Sequence, residues 1–215
     1  PFGELTMYSH EPDKAFDVSF LTGVTHLQCF YMPQCALTLP TSVVRLTLDY
    51  GSDRVSVAGA ENLTRLESRN ENNTVAACPR LLELAWDRDW FNKTNHIPVR
   101  NLATLTDLTI VGPFNDQWSD SFPSLKALCL SHCDASRCLP TTLRILAVSV
   151  TKSADLSALT RLTRLKVELE AAVSLVFPTQ LRELSITHFE NLTESNISDV
   201  ALEVFEDTRK QKALT

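Results

Sequence analysis

The chain has 215 residues, 20 basic and 26 acidic side chains, a formal charge of −6, and apolar and charged fractions of 44% and 21%. This is a globular composition with enough length for a buried core, which argues against disorder over the whole chain. Five glycines, never closer than eight residues, leave no G-x-G-x-x-G or G-x-x-x-x-G-K-[ST] to cradle a phosphate, no run reaches eighteen apolar residues, and no basic stripe is present for a nucleic acid.

The 32 leucines follow a repeat. The frame L-x-x-L-x-L, in places degraded, opens at Phe2, Val24, Val43, Leu63, Leu81, Leu105, Leu125, Leu143, Leu162 and Leu181, with spacings of 22, 19, 20, 18, 24, 20, 18, 19 and 19 residues. Each copy predicts one strand with inward leucines and outward alternate residues. No copy can bury its leucines alone, so neighbours must stack.

The first copy begins inside a repeat, and the chain opens at Pro1 without an initiator Met or a leader pattern. It reads as a processed form or a piece of something longer, with further repeats or a partner at the N-terminal edge. Copy three follows Leu39-Pro40-Thr41-Ser42, a lead-in repeated at Leu139-Pro140-Thr141-Thr142 and Phe177-Pro178-Thr179-Gln180. Proline there favours an extended entry into the strand. Copy four is the weakest, because Ser68 stands where a branched apolar residue belongs; its hydroxyl is expected to find a backbone acceptor. The longest spacing carries Trp86 in an inward slot, then Trp90 and Phe91, which suit either packing or a partner, as does Trp118.

About twenty residues per copy leave too few for a full helix on the return path, so extended, 3₁₀ or irregular segments are expected there. After Ile186 the period reads as ending. Ile197, Val200, Ala201, Val204 and Phe205 fall at helical spacing, with Asp199 and Glu203 early and Arg209 and Lys210 late. That predicts an amphipathic capping helix. The domains are therefore a solenoid over 1–190 and a helical cap and tail over 191–215. Scarce glycine reads as turns set by Pro, Thr and Asn in place of positive-φ positions.

Frame and period together resemble the leucine-rich repeat superfamily over Phe2 to Ile186. Cys133, three residues after Leu130, stands where that family's unit uses a capping cysteine, whereas Gly51, Asp89, Pro113, Thr151 and Phe189 depart at that position. The proline lead-ins resemble those of bacterial-effector and protist repeat proteins. The resemblance implies an α/β solenoid, a right-handed horseshoe with a parallel concave sheet of about ten strands.

On that sheet the outward residues form three columns. They give two charged islands, Arg45/Asp49/Arg65/Glu67/Arg69 and Arg164/Lys166/Glu168, separated by Val111, Ala127, Cys129, Ile145 and Ala147. An apolar centre with a polar rim is how protein interfaces are composed, although mixed charge also keeps an exposed sheet soluble. Partner contacts are therefore expected from Arg45, Asp49, Arg65, Glu67, Arg69, Val111, Cys129, Ile145, Arg164, Lys166 and Glu168.

Cys129, His132, Cys133 and Cys138 have the composition of a zinc site, but the frame turns Cys129 outward and Cys133 inward, so no metal is expected. No H-E-x-x-H or G-x-S-x-G is present, and neither a catalytic residue nor a cofactor is expected. Five of the ten asparagines, Asn62, Asn72, Asn92, Asn191 and Asn196, stand in glycosylation triplets, which tilts toward a secreted or cell-surface glycoprotein. The absence of cysteine-rich caps points the other way. The expectation is a non-catalytic recognition module that binds a protein partner, no nucleic acid, as a receptor or antigen ectodomain. The alternative is a structural or adaptor subunit of a larger intracellular assembly.

Overall fold

Alternating apolar and polar residues in each copy make a strand with one buried face, and a strand so short finds its backbone partners only in the next copy. The computed structural model describes residues 3–49, 51–52, 54–70, 73–75, 78–87, 102–111, 122–133 and 139–207. It divides into two units, Pro1–Ile110 and Val111–Thr215.

The first unit contains β1 (Glu4–Tyr8), β2 (Ala15–Asp17), β3 (His26–Phe30), β4 (Ala36–Thr38), β5 (Arg45–Leu48), β6 (Ser56–Ala58), β7 (Arg65–Ser68), β8 (Thr74–Val75), β9 (Glu83–Asp87) and β10 (Asp107–Val111), the last ending at its boundary. The second contains β11 (Ala127–Cys133), β12 (Ile145–Val150), β13 (Ala154–Asp155), β14 (Arg164–Leu169), β15 (Val173–Val176), β16 (Glu183–Thr187), β17 (Leu192–Ser195) and β18 (Val204–Asp207).

Both units are parallel β-solenoids. In the first, β1, β3, β5, β7, β9 and β10 lie side by side as the long-strand sheet, and β2, β4, β6 and β8 form a second sheet on the return path. In the second, β11, β12, β14, β16 and β18 form the long-strand sheet, and β13, β15 and β17 the return sheet. Among the described residues the return path is thus built largely from short parallel strands, the extended form among those expected, and their pairing into sheets is what the sequence did not disclose. Three-residue strands such as Ala36-Leu37-Thr38 carry little pattern of their own and form because the coils stack in register. The described 3₁₀ turns are Phe189–Asn191 and Ile197–Asp199, and no described helix is long and apolar enough to cross a membrane.

Register follows the repeat. Leu5, Leu27, Leu46, Leu66 and Leu84 stand opposite one another, as do Met7, Cys29, Leu48, Ser68 and Trp86. In the second unit the rows are Leu128, Leu146, Leu165, Leu184, Phe205 and Leu130, Val148, Val167, Ile186. The paired residues from Leu27 to Leu84 and from Leu128 to Leu184 are at most 2% exposed, and each such burial contributes on the order of 2 kcal/mol. Leu37, Val57 and Val75 close the first core from the return sheet, and Val173, Leu175 and Phe177 the second.

Each strand is entered through a turn. The N–H of Val43, Leu63, Leu81, Leu105, Leu125, Leu143, Leu162 or Leu181 donates to the carbonyl three residues earlier at 2.9–3.3 Å. In the proline lead-ins, Pro40, Pro140 and Pro178 are the first residues of these turns. The residue before the turn's last apolar position then reaches back one coil. Ser42 donates to Val24 O, Asn62 to Thr41 O, Thr104 to Leu81 O, Thr142 to Leu125 O and Gln180 to Leu159 O. One step later Thr25, Thr64, Thr106 and Thr163 add a hydroxyl to carbonyls that already accept two backbone N–H groups. Side-chain donors therefore satisfy the turns that no ladder covers.

Two expectations are corrected. Over 195–207 there is no amphipathic helix. A 3₁₀ turn leads into β18, which pairs in parallel with β16, Glu183 opposite Val204 and Leu184 opposite Phe205. Leu202-x-x-Phe205-x-Asp207 is one more degraded copy, 21 residues after Leu181, and the backbone partners offered by β16 outweigh a local helical spacing. Glycine scarcity likewise does not reflect an absence of left-handed positions. Asp13, Tyr31, Gln34, Arg54 and His188 hold φ between 46° and 61°, alongside Gly23, Gly51 and Gly59. Other residues carry a strain that glycine would avoid.

Candidate recognition face

The outward columns form as the frame predicts. Glu4, His26, Arg45, Arg65 and Glu83 are cross-strand neighbours in the first unit, and Ala127, Ile145, Arg164, Glu183 and Val204 in the second. Beside them run Thr6, Gln28, Thr47, Glu67, Ala85 and Cys129, Ala147, Lys166, Ser185, Glu206.

In the first unit, Arg69 lies between Asp49 at 3.2 Å and Glu67 at 3.4 Å, and Arg65 pairs with Glu83 at 3.0 Å. Arg45 is exposed between His26 and Arg65 in the first column. Arg45, Asp49, Arg65, Glu67 and Arg69, with His26, Gln28 and Thr47, line a groove of about 290 Å³. Tyr8 and Phe30 stand in the third column, stacked at 5.2 Å with an interplanar angle of 16°, and Tyr8 is 66% exposed. Neither is among the partner contacts expected from the sequence. Adjacent aromatics one strand apart on an outward column are the signal that identifies them.

In the second unit, the Arg164 guanidinium grips the Glu183 carboxylate through Nε and NH2, the latter at 2.9 Å. This bidentate bond holds the Glu183 carboxyl below the usual range and raises the Arg164 pKa. Arg164, Lys166, Glu183, Ser185, Val204 and Glu206 surround a groove of about 370 Å³ floored by Leu165 and Leu184. Glu168 is exposed and accepts from Ser149 Oγ at 3.3 Å. Ser149 itself is buried, although the alternation along β12 turns it to the same side as Ile145 and Ala147. Val111 and Ile145 are 36% and 39% exposed, while Ala127, Cys129 and Ala147 are half-buried.

Burial pushes the Cys29 thiol up to about 12 and the Cys78 thiol to about 11, and it also raises Cys35 and Cys129, so these sulfurs are poor nucleophiles at neutral pH. All four are free thiols. Among the described residues no three His, Cys, Asp or Glu converge as a metal site. The side chains of His132 and Cys133, and Cys138, Trp90, Phe91, Trp118, Asn72 and Asn92, lie outside the described residues.

Asn62, Asn191 and Asn196 are each half-buried with the side-chain amide engaged. Copy four behaves as its sequence implied. Ser68 donates to Asn70 O at 3.0 Å and accepts from Asn73 Nδ2 at 3.1 Å, and Asn73 Oδ1 accepts the Val55 N–H at 2.9 Å. The buried Asn73 was not anticipated. No family model, curated protein or solved structure matches the chain.

Proposed function

We propose that the chain is a non-catalytic recognition module that binds a protein partner on the outer face of its long-strand sheets, as a divergent member of the leucine-rich repeat superfamily with a horseshoe course. The observation that carries the reading is the coincidence of grooves with charge: each predicted island borders a groove on that face. Strands alternate, so the leucines hold the coil while the outward columns are free to specify a ligand. Family membership rests on the repeat frame, its period and the strand register.

Photo-crosslinking residues placed at Arg65 and Lys166, and as controls at the exposed Thr38 and Ala58 of the return sheet, test the binding face. Crosslinks from the first pair to one shared protein, absent from the controls, are expected, with the Arg65 crosslink lost in the Arg164→Glu/Lys166→Glu variant. Equal crosslinking from both sheets refutes the assignment.

A structural role in an assembly is the second reading, favoured by β18, where Val204 and Phe205 remain 47% and 46% exposed although Phe205 occupies a leucine row. A monodisperse monomer in sedimentation at high concentration counts against it.

A further inference from the structure

We infer that Asn196 is an amide clamp between coils and carries no N-linked glycan in the folded protein, its triplet with Ile197 and Ser198 being a product of the solenoid. The inference is independent of the proposed partner binding. Two other triplets show how such sequences arise. In Asn62-Leu63-Thr64, Asn62 Nδ2 donates to Thr41 O at 2.9 Å and Thr64 Oγ1 to Val44 O at 3.1 Å. In Asn191-Leu192-Thr193, Asn191 Nδ2 donates to Leu169 O at 2.8 Å and Thr193 Oγ1 to Val173 O at 2.9 Å. The coil asks for a polar donor on each side of an apolar residue, and Asn-x-Thr supplies both.

At Asn196 the engagement goes further. Its Oδ1 accepts the Phe177 N–H at 2.7 Å, and its Nδ2 donates to the Phe177 carbonyl at 3.1 Å. Both bonds close on one residue's backbone, so they come from one edge of the amide: the oxygen and the proton beside it. Glycan transfer replaces an Nδ2 proton with the anomeric carbon, and the resulting secondary amide stays trans. The sugar carbon then lies on the Oδ1 edge, where the clamp's proton was, against the backbone of a residue only 1% exposed. Asn62 and Asn191 each donate to a single carbonyl, which the amide's remaining proton can serve after modification. Asn196 has no such freedom.

Ser198 separates the two roles of the triplet, because its hydroxyl is exposed and bonds only to Asp199 Oδ1 at 3.3 Å among the described contacts. Ser198→Ala abolishes the triplet and keeps the clamp. Asn196→Asp and Asn196→Gln abolish both. In protein made without glycosylation, the Asn196 variants are expected to melt about 4 °C or more below the parent, while Ser198→Ala melts with it. In protein directed through a eukaryotic secretory pathway, intact mass is expected to show the same number of glycans on the folded parent and on Ser198→Ala. Loss of one glycan in Ser198→Ala, or unchanged melting of the Asn196 variants, overturns the inference.

Discussion

Replacing Asn73 by alanine probes the point where the apolar ladder is interrupted. Ser68 holds a slot filled by Leu48 and Trp86 on either side, and Ser68, Asn73 and Val55 are all fully buried. The alanine variant takes away the acceptor of the Val55 N–H and the donor to Ser68 Oγ. A buried donor left without a partner costs about 1–3 kcal/mol. The vacated amide volume adds on the order of 1 kcal/mol. Ser68 keeps its bond to Asn70 O, so the expected loss is about 2–4 kcal/mol. An exposed Asn→Ala change would cost about 0.5 kcal/mol or less. Urea unfolding reads the difference as a lowered midpoint at constant slope, and hydrogen exchange should show the Val55 amide losing protection. Ser68→Ala closes a double-mutant cycle with a coupling of about 0.5–3 kcal/mol. A loss below about 0.5 kcal/mol, or additivity of the two changes, refutes the claim that this pair substitutes for apolar packing.

Gly59 has φ +73°, and a Cβ there would lie 2.8 Å from Leu39 O, so Gly59→Ala should cost more than about 1 kcal/mol by thermal unfolding. Cys29 binds its proton more tightly when folded than in the unfolded chain. Its stabilisation is therefore complete below pH 9 and is lost as the pH rises toward about 12, at up to about 1.4 kcal/mol per pH unit. Cys29→Ala should flatten that alkaline limb relative to the parent. Glu183 shows the opposite sign: its contribution is present above the ordinary carboxylate range and fades as pH falls through the lowered pKa. In Arg164→Gln an NMR titration should find the carboxyl moved up toward its usual value, with the parent's shift shrinking in high salt.

The strands and their register were legible because a period of two leaves no ambiguity about which side chain faces the core: shifting Arg45 by one position would bury a guanidinium and expose Leu46. The outward columns followed from the same alternation, and the islands at Arg65/Arg69 and Arg164/Lys166 with them. What failed was local reading where a segment's fate is decided by its neighbour. Ile197 to Phe205 fits a helical spacing, yet β16 offers an open row of N–H and C=O groups, and residues 204–207 extend along it. The pairing of the return segments into sheets was not legible for the same reason, each being too short to show a pattern alone.

The sequence by itself determined that this chain is a stacked repeat with a leucine core, since inward apolar residues every twenty positions have no other way out of water. Tertiary structure decided which polar residues serve the stack and which stay on its outer face. Asn62, Asn196, Thr64 and Ser42 read as surface residues or glycan acceptors until the preceding coil supplies the carbonyls they hold. Arg164 and Glu183 share an outward column in the sequence frame, and the bidentate bond between them appears only where parallel pairing sets them side by side. A hydrogen bond needs a partner at about 3 Å, and for residues some twenty positions apart only the closed coil provides it.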